Sequence, residues 1–199
     1  RERTTRLLTE LVQCPSISPE EGASPEPPFG ELRLQERVAA RLAALGAALN
    51  WSDALPGRKN LVATFTGRDP ARSLMVEAHA DTVGVEGMSV KPFDAVIEGG
   101  RLYGRGAADT KGAMAAMLTA VEDVLRDGPL PLTLHVVLTC NEERGAHGAH
   151  ALMKTGFHAD AAIVGEPTGL QIVHTHKGAI RWKLQTSGVA AHSSAPELG

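Results

Sequence analysis

The sequence predicts an α/β fold, with a mostly parallel central sheet flanked by helices, followed by the start of a second, α+β domain. Three observations carry this expectation. Short apolar runs of strand length alternate with helical patterns from residue 61 onward. Within that stretch, runs such as residues 134–138 are dominated by Leu and Val rather than alternating with polar residues, as expected of strands covered on both faces. Near Lys177-Gly178 the texture changes, and residues 180–185 alternate apolar and polar, the pattern of a strand with one wet face. Residues 1–177 are therefore expected to form the first domain and residues 178–199 to open the second.

Taken in order, Leu7, Leu8, Leu11 and Val12 make one face of a first helix. Residues 16–30, rich in Pro, Glu, Ser and Gly, read as an exposed loop. Leu34, Val38, Leu42 and Leu45 then recur at helical spacing, with Gly46 as a stop signal. Residues 61–65 and 74–77 read as strands, and residues 94–103 as a hairpin turning at Gly99-Gly100. Residues 111–126 form a long helix with an Ala, Met, Leu and Val face, closed by Gly128-Pro129. Residues 133–139 are a buried strand, 148–154 a short helix and 161–164 a further buried strand.

The 199 residues suffice for one large domain, or one domain and part of another. At 43% hydrophobic and 22% charged, the composition is that of a soluble globular chain. A net charge of −3 gives no basic field, which argues against nucleic acid or an anionic membrane as the main partner. No apolar run approaches the roughly 20 residues of a membrane span. The opening Arg-Glu-Arg-Thr-Thr has no apolar core of a signal peptide. Cys14 and Cys140 lie far apart, so no disulfide framework is expected and a reducing, cytoplasmic compartment is. Cys140 ends an apolar run and reads as a core thiol rather than a nucleophile.

The chemistry gathers at strand ends. His79 closes one strand and Asp81 follows it. Glu142 and Glu143 follow the next strand, and Glu166 the last. Asp109 lies in the Gly-rich turn that opens the long helix. Open α/β sheets bind ligands at the carboxyl ends of their strands. Crowded carboxylates repel unless a cation neutralises them. Imidazole plus carboxylate oxygens suits Zn²⁺ and similar ions. More carboxylates than one ion needs point to two ions activating a water, with one carboxylate left as the base. Glu142 and Glu143, as neighbours on an extended segment, would point opposite ways and divide those roles. Asp81 could accept the second imidazole N–H of His79. Taken singly, each residue has an ordinary alternative. His79 is then a surface or satisfied core histidine, Asp109 an N-cap, Glu142-Glu143 a solvated helix start and Glu166 a turn residue. His174 and His176 alternate along one strand face and could also reach a site; His135, His147, His150 and His158 read as structural or exposed. The Gly104–Asp109 turn lacks the last glycine of a dinucleotide fingerprint, and neither a phosphate loop nor a Gly-x-Ser-x-Gly elbow occurs.

At these residues the sequence resembles the zinc metallopeptidase family of acetylornithine deacetylase, succinyl-diaminopimelate desuccinylase, aminoacylase and glutamate carboxypeptidase. The matching segments are His79-Ala80-Asp81-Thr82-Val83, the run from Leu102 to Gly112, Asn141-Glu142-Glu143, Gly165-Glu166-Pro167-Thr168 and His192-Ser193-Ser194. The resemblance implies two Zn²⁺ ions, with Co²⁺ or Mn²⁺ as alternatives. His79 and Glu166 would hold the first ion, Glu143 the second, and Asp109 would bridge them. It implies Glu142 as general base, Asp81 as the residue behind His79, and a cis peptide between Asp109 and Thr110. It also implies that His192 reaches a neighbouring subunit's site from a lid through which the protein forms a homodimer. The expected substrates are N-acyl amino acids or short peptides. Gly165-Glu166-Pro167-Thr168, Leu170-Gln171 and His176-Lys177-Gly178 look most like acetylornithine deacetylase. A dipeptidase or carboxypeptidase of the same family and a non-catalytic metal-binding scaffold are the alternatives. Family members continue through the lid and return to the catalytic domain with a further histidine for the second ion, so the chain reads as an N-terminal part.

Overall fold

The computed structural model describes the chain apart from residues 21, 25, 176, 179, 181, 183 and 186. It divides into two units, Arg1–Pro167 and Thr168–Gly199.

The first unit begins with helices α1 (Glu2–Val12) and α2 (Leu32–Ala44). Strands β1 (Ala48–Leu55), β2 (Arg58–Phe65) and β3 (Asp69–His79) follow. A small hairpin, β4 (Val96–Glu98) with β5 (Arg101–Tyr103), turns at Gly99 and Gly100, both of positive φ. Then come α3 (Lys111–Arg126), β6 (Leu132–Thr139), α4 (His147–Lys154) and β7 (Ala161–Val164).

The main sheet has the order β1-β2-β6-β3-β7. β6, β3 and β7 are mutually parallel, β2 runs against β6, and β1 runs against β2. Four strands thus share one direction and β2 alone is reversed. This is the expected fold class, a mostly parallel sheet with helices on its faces.

β6 is rich in Leu and Val because both its faces are covered. Leu134, Val136 and Leu138 join the main core with Leu7 and Leu11 of α1, Leu34, Val38 and Leu42 of α2, and Met114, Leu118 and Val121 of α3. Val137 faces the other way, packing with Val62 and with Leu152 of α4. Emptying such a site, as in Leu118→Ala, costs about 2–5 kcal/mol.

Four expectations need correction. The loop over residues 16–30 is not exposed at its start: Ser16, Ile17 and Ser18 are buried. Their main chain pairs with Thr82 through Ser18 N–H to Thr82 O (2.8 Å) and Thr82 N–H to Ser16 O (3.0 Å), which draws the segment inward. β7 is not buried, with Ile163 53% and Val164 55% exposed, because it pairs only with β3 and lies at the sheet edge. β1 was unforeseen. Its polar Asn50, Ser52 and Asp53 mask the alternation, although Pro56-Gly57, with Gly57 at φ +70, marks the hairpin. In the second unit the strand expected over residues 180–185 falls partly on 181 and 183, outside the described residues. Its described members lie in no strand, and Ile180, Trp182 and Leu184 are exposed. His174 likewise lies in no strand, and its expected partner on that face, His176, lies outside the described residues.

Among the described residues no helix is long and apolar enough to cross a membrane. Cys14 and Cys140 are free and buried, and burial pushes the Cys140 thiol well above its ordinary pKa.

Candidate metal centre

The sheet order sets neighbouring strand ends side by side. β6, β3 and β7 are adjacent and parallel, so their carboxyl ends meet at one edge. Glu142 and Glu143 follow β6, His79 ends β3, and Glu166 follows β7. Asp109 comes from the turn before α3, where its peptide bond to Thr110 is cis, as expected. Thr110 Oγ1 donates to the His79 carbonyl (3.1 Å), fastening that turn to the end of β3. Asp109 does not cap α3; Thr110 occupies the N-cap position.

His79 is the buried centre of the cluster, its side chain 1% exposed. Its Nδ1–H donates to the main-chain carbonyl of Asp81 (2.9 Å). A carbonyl only accepts, so that nitrogen carries the proton and Nε2 faces the carboxylates. Nε2 is 2.9 Å from Asp109 Oδ1, 3.8 Å from Glu166 Oε1 and 3.9 Å from Glu142 Oε2. One ligand atom each from His79, Asp109 and Glu143 lie within 4.8 Å of one another. A lone pair aimed at several carboxylates is repelled unless a proton or a cation lies between them. The donor set therefore fits a divalent cation, held by one imidazole and several carboxylate oxygens. The imidazole is sealed off, whereas Glu166, Glu142 and Asp109 are 39%, 45% and 50% exposed, so the cluster opens toward solvent.

The electrostatics follow from this crowding. Burial pushes Glu166 up to about 7, with Asp109, Glu142 and Glu77 adding to it against the opposing His79. Burial, then the Asp109 charge, raises Glu143. Burial alone would lower His79, but Asp81, Asp109, Glu166 and Glu142 outweigh it and raise the imidazole. A bound dication removes the repulsion behind these shifts.

Two details differ from expectation. The Asp81 carboxylate does not take the imidazole N–H, because the chain leaves β3 at His79 and presents the Asp81 carbonyl to the ring. The carboxylate instead accepts the main-chain N–H of Glu142 (2.9 Å, Oδ1) and of Glu143 (3.3 Å, Oδ2). Glu142 and Glu143 lie not on an extended segment but in a turn, closed by Gly145 N–H to Glu142 O (3.1 Å). The turn is entered through Asn141 in the left-handed region, φ +56.

The cluster thus brings together His79, Asp109, Glu142, Glu143 and Glu166, with Asp81 behind them. His192 lies in the second unit, where Ser194 N–H donates to its Nδ1 (3.2 Å). Sequence reasoning missed Glu77, two residues before His79, which accepts a bond from Thr139 Oγ1 (2.6 Å) and is raised by burial. It also missed Arg58, whose guanidinium lies 3.9 Å from Asp81 Oδ2. Period-2 alternation puts Glu77 on the face of His79 and could have found it. No local pattern marks Arg58.

Residues 75–197 match the model of peptidase family M20/M25/M40. Succinyl-diaminopimelate desuccinylase of Variovorax paradoxus is 33% identical, over 98% of this chain and 52% of its own length. The protein of that name from Dinoroseobacter shibae is 35% identical, over 96% of this chain and 51% of its own length. The chain spans about half the length of the curated relatives it matches. Two solved structures share the fold at 24% identity. The M20 family metallo-carboxypeptidase Sso-CP2 of Sulfolobus solfataricus has a TM-score of 0.69 over 83% of this chain and 37% of that one. Human carnosine dipeptidase 1 has a TM-score of 0.70 over 83% of this chain and 38% of that one. With the family model matching over half of its residues and relatives aligned over nearly all of it, the chain belongs to peptidase family M20/M25/M40.

Proposed function

We propose that the chain carries the metal-binding part of a two-metal hydrolase that cleaves the C–N bond of N-acyl amino acids or short peptides. What supports this most directly is the meeting of His79 Nε2 with Asp109, Glu166 and Glu142 within 3.9 Å, beside Glu143, where three parallel strands end. In this reading His79 and Glu166 would hold one ion and Glu143 a second, with Asp109 a shared ligand. Divalent ions held there, Zn²⁺ with Co²⁺ or Mn²⁺ as substitutes, supply Lewis acidity toward a water and a substrate carbonyl. Glu142 takes the proton from the attacking water and delivers it to the leaving nitrogen. Its half-exposed carboxylate is open to solvent, while Asp81 holds its main-chain N–H.

Residues 1–177 act as the catalytic domain and 178–199 as the start of a lid through which the protein forms a homodimer. His192, reaching a partner subunit's site, donates to the oxyanion. With its Nδ1 accepting from Ser194, a neutral ring carries its proton on Nε2, the nitrogen left to donate. A small soluble substrate suits a cytoplasmic enzyme. Gly165-Glu166-Pro167-Thr168 suggested an acetyl group, but the relatives named above are desuccinylases. A dicarboxylic acyl group such as succinyl is therefore ranked first.

The test is hydrolysis of succinylated and acetylated amino acids and of dipeptides by the full-length protein with Zn²⁺ or Co²⁺. Glu142→Ala is expected to lower kcat by about 10²–10⁴-fold while keeping the Co²⁺ absorption bands. Metal binding without hydrolysis of any substrate class would favour a non-catalytic scaffold instead.

A further inference from the structure

We infer that Arg58, held by Glu31 and Ser18, is a positioning residue that sets the loop bearing Glu142 and Glu143 by facing the carboxylate of Asp81. Arg58, Glu31, Ser18 and Asp81 are all 5% exposed or less. Arg58 Nε donates to both oxygens of Glu31 (2.9 and 3.1 Å), and Nη2 donates to Glu31 Oε2 (2.9 Å) and to Ser18 Oγ (3.1 Å). That same Nη2 lies 3.9 Å from Asp81 Oδ2. One guanidinium therefore faces two buried carboxylates of different origin, Glu31 at the start of α2 and Asp81 beyond β3.

Asp81 is where the consequence enters the centre. Its two carboxylate oxygens accept the N–H groups of Glu142 and Glu143, and its carbonyl accepts the His79 imidazole N–H. Turning this one side chain shifts the main chain of both glutamates. Ser18 reinforces the link from the other side. Its N–H donates to Thr82 O (2.8 Å), and its carbonyl accepts from Arg144 Nε (3.3 Å), directly after Glu143. The segment over residues 16–18 thus fastens both loops of the centre, with Arg58 beneath them.

Stability alone does not require this pair. Replacing a buried ion pair with apolar side chains of similar volume is often neutral or stabilising. Its orientation supplies the missing reason: a planar fork can satisfy Glu31 on one side while presenting charge to Asp81 on the other. The inference rests on the two-ion reading proposed above.

Two variants of the full-length protein test it. Arg58→Met with Glu31→Met removes both charges of the pair, so neither is left buried without the other. Arg58→Lys keeps a charge but loses the fork. Three quantities are measured for each: thermal midpoint, amide hydrogen exchange at Glu142 and Glu143 in the metal-free protein, and Co²⁺ affinity from visible absorption. Both variants are expected to melt close to the parent, exchange those two amides about tenfold faster, and bind Co²⁺ about 10–100-fold more weakly. Should the double variant not fold, Arg58→Lys alone carries the comparison. Parent-like exchange and Co²⁺ affinity in a folded variant would overturn the positioning role and leave the hydrolase reading intact. A parent that binds no Co²⁺ overturns both.

Discussion

His79 derives its chemistry from two hydrogen-bonding partners. The Asp81 carbonyl fixes the proton on Nδ1, and the crowded carboxylates lie on the other side of the ring. The buried imidazole cannot turn away from them, so a cation is the natural neutraliser. The next loop shows the same economy of main-chain placement. Asn141 enters it at φ +56 and Ala146 leaves it at φ +54. Asn tolerates the left-handed region, and its Oδ1 is tied to His147 Nδ1 (2.6 Å). Ala146 has no such excuse. Ala146→Gly removes a left-handed Cβ that costs about 1–2 kcal/mol, less the added freedom of glycine when unfolded. It is expected to raise stability by up to about 1 kcal/mol in denaturant melts, and a lowered midpoint would contradict the strain.

The elements behave as a frame that carries these loops. α3 starts beside Asp109, and Lys111 Nζ donates to the Cys14 carbonyl (2.8 Å), joining the beginning of α3 to the end of α1. Burial pushes that ammonium down to about 8. Toward its other end, Glu122 of α3 pairs with Arg3 of α1 and with Arg41 of α2. Burial alone would raise Glu122, but its bonds to Arg41 and Arg3 outweigh that and lower it below 4.5. A carboxylate depressed in the folded state stabilises above its unfolded pKa, and that stability is lost as pH falls through the folded pKa. Glu122→Gln is therefore expected to cost about 1–3 kcal/mol at pH 7. The gap from the parent should shrink progressively below the ordinary value of 4.5. A gap independent of pH between 7 and 3 would assign the loss to packing instead.

Across the whole molecule, legibility tracked locality. β6 and α3 were plain in the sequence because period and composition agree over consecutive residues. The residues of the centre were legible because each follows a recognisable strand or Gly-rich turn, and one sheet edge collects them. β1 was not, since an outer strand with polar Asn50, Ser52 and Asp53 does not need the apolar run of a covered one. The Arg58–Glu31 pair joins residues 27 apart, and nothing local predicts that they meet. Residues 16–18 were misread for a related reason: their composition is that of a loop, but their hydrogen bonds are made to Thr82, far along the chain.

The central proposition is that His79, Asp109, Glu143 and Glu166 share a pair of divalent ions. Anomalous scattering at the zinc edge from crystals of the full-length protein grown with Zn²⁺ tests it directly. Two peaks about 3.5–4 Å apart are expected, one beside His79 and Glu166, the other beside Glu143, with Asp109 between them. Peaks elsewhere on the protein, or none at these four side chains, would contradict it.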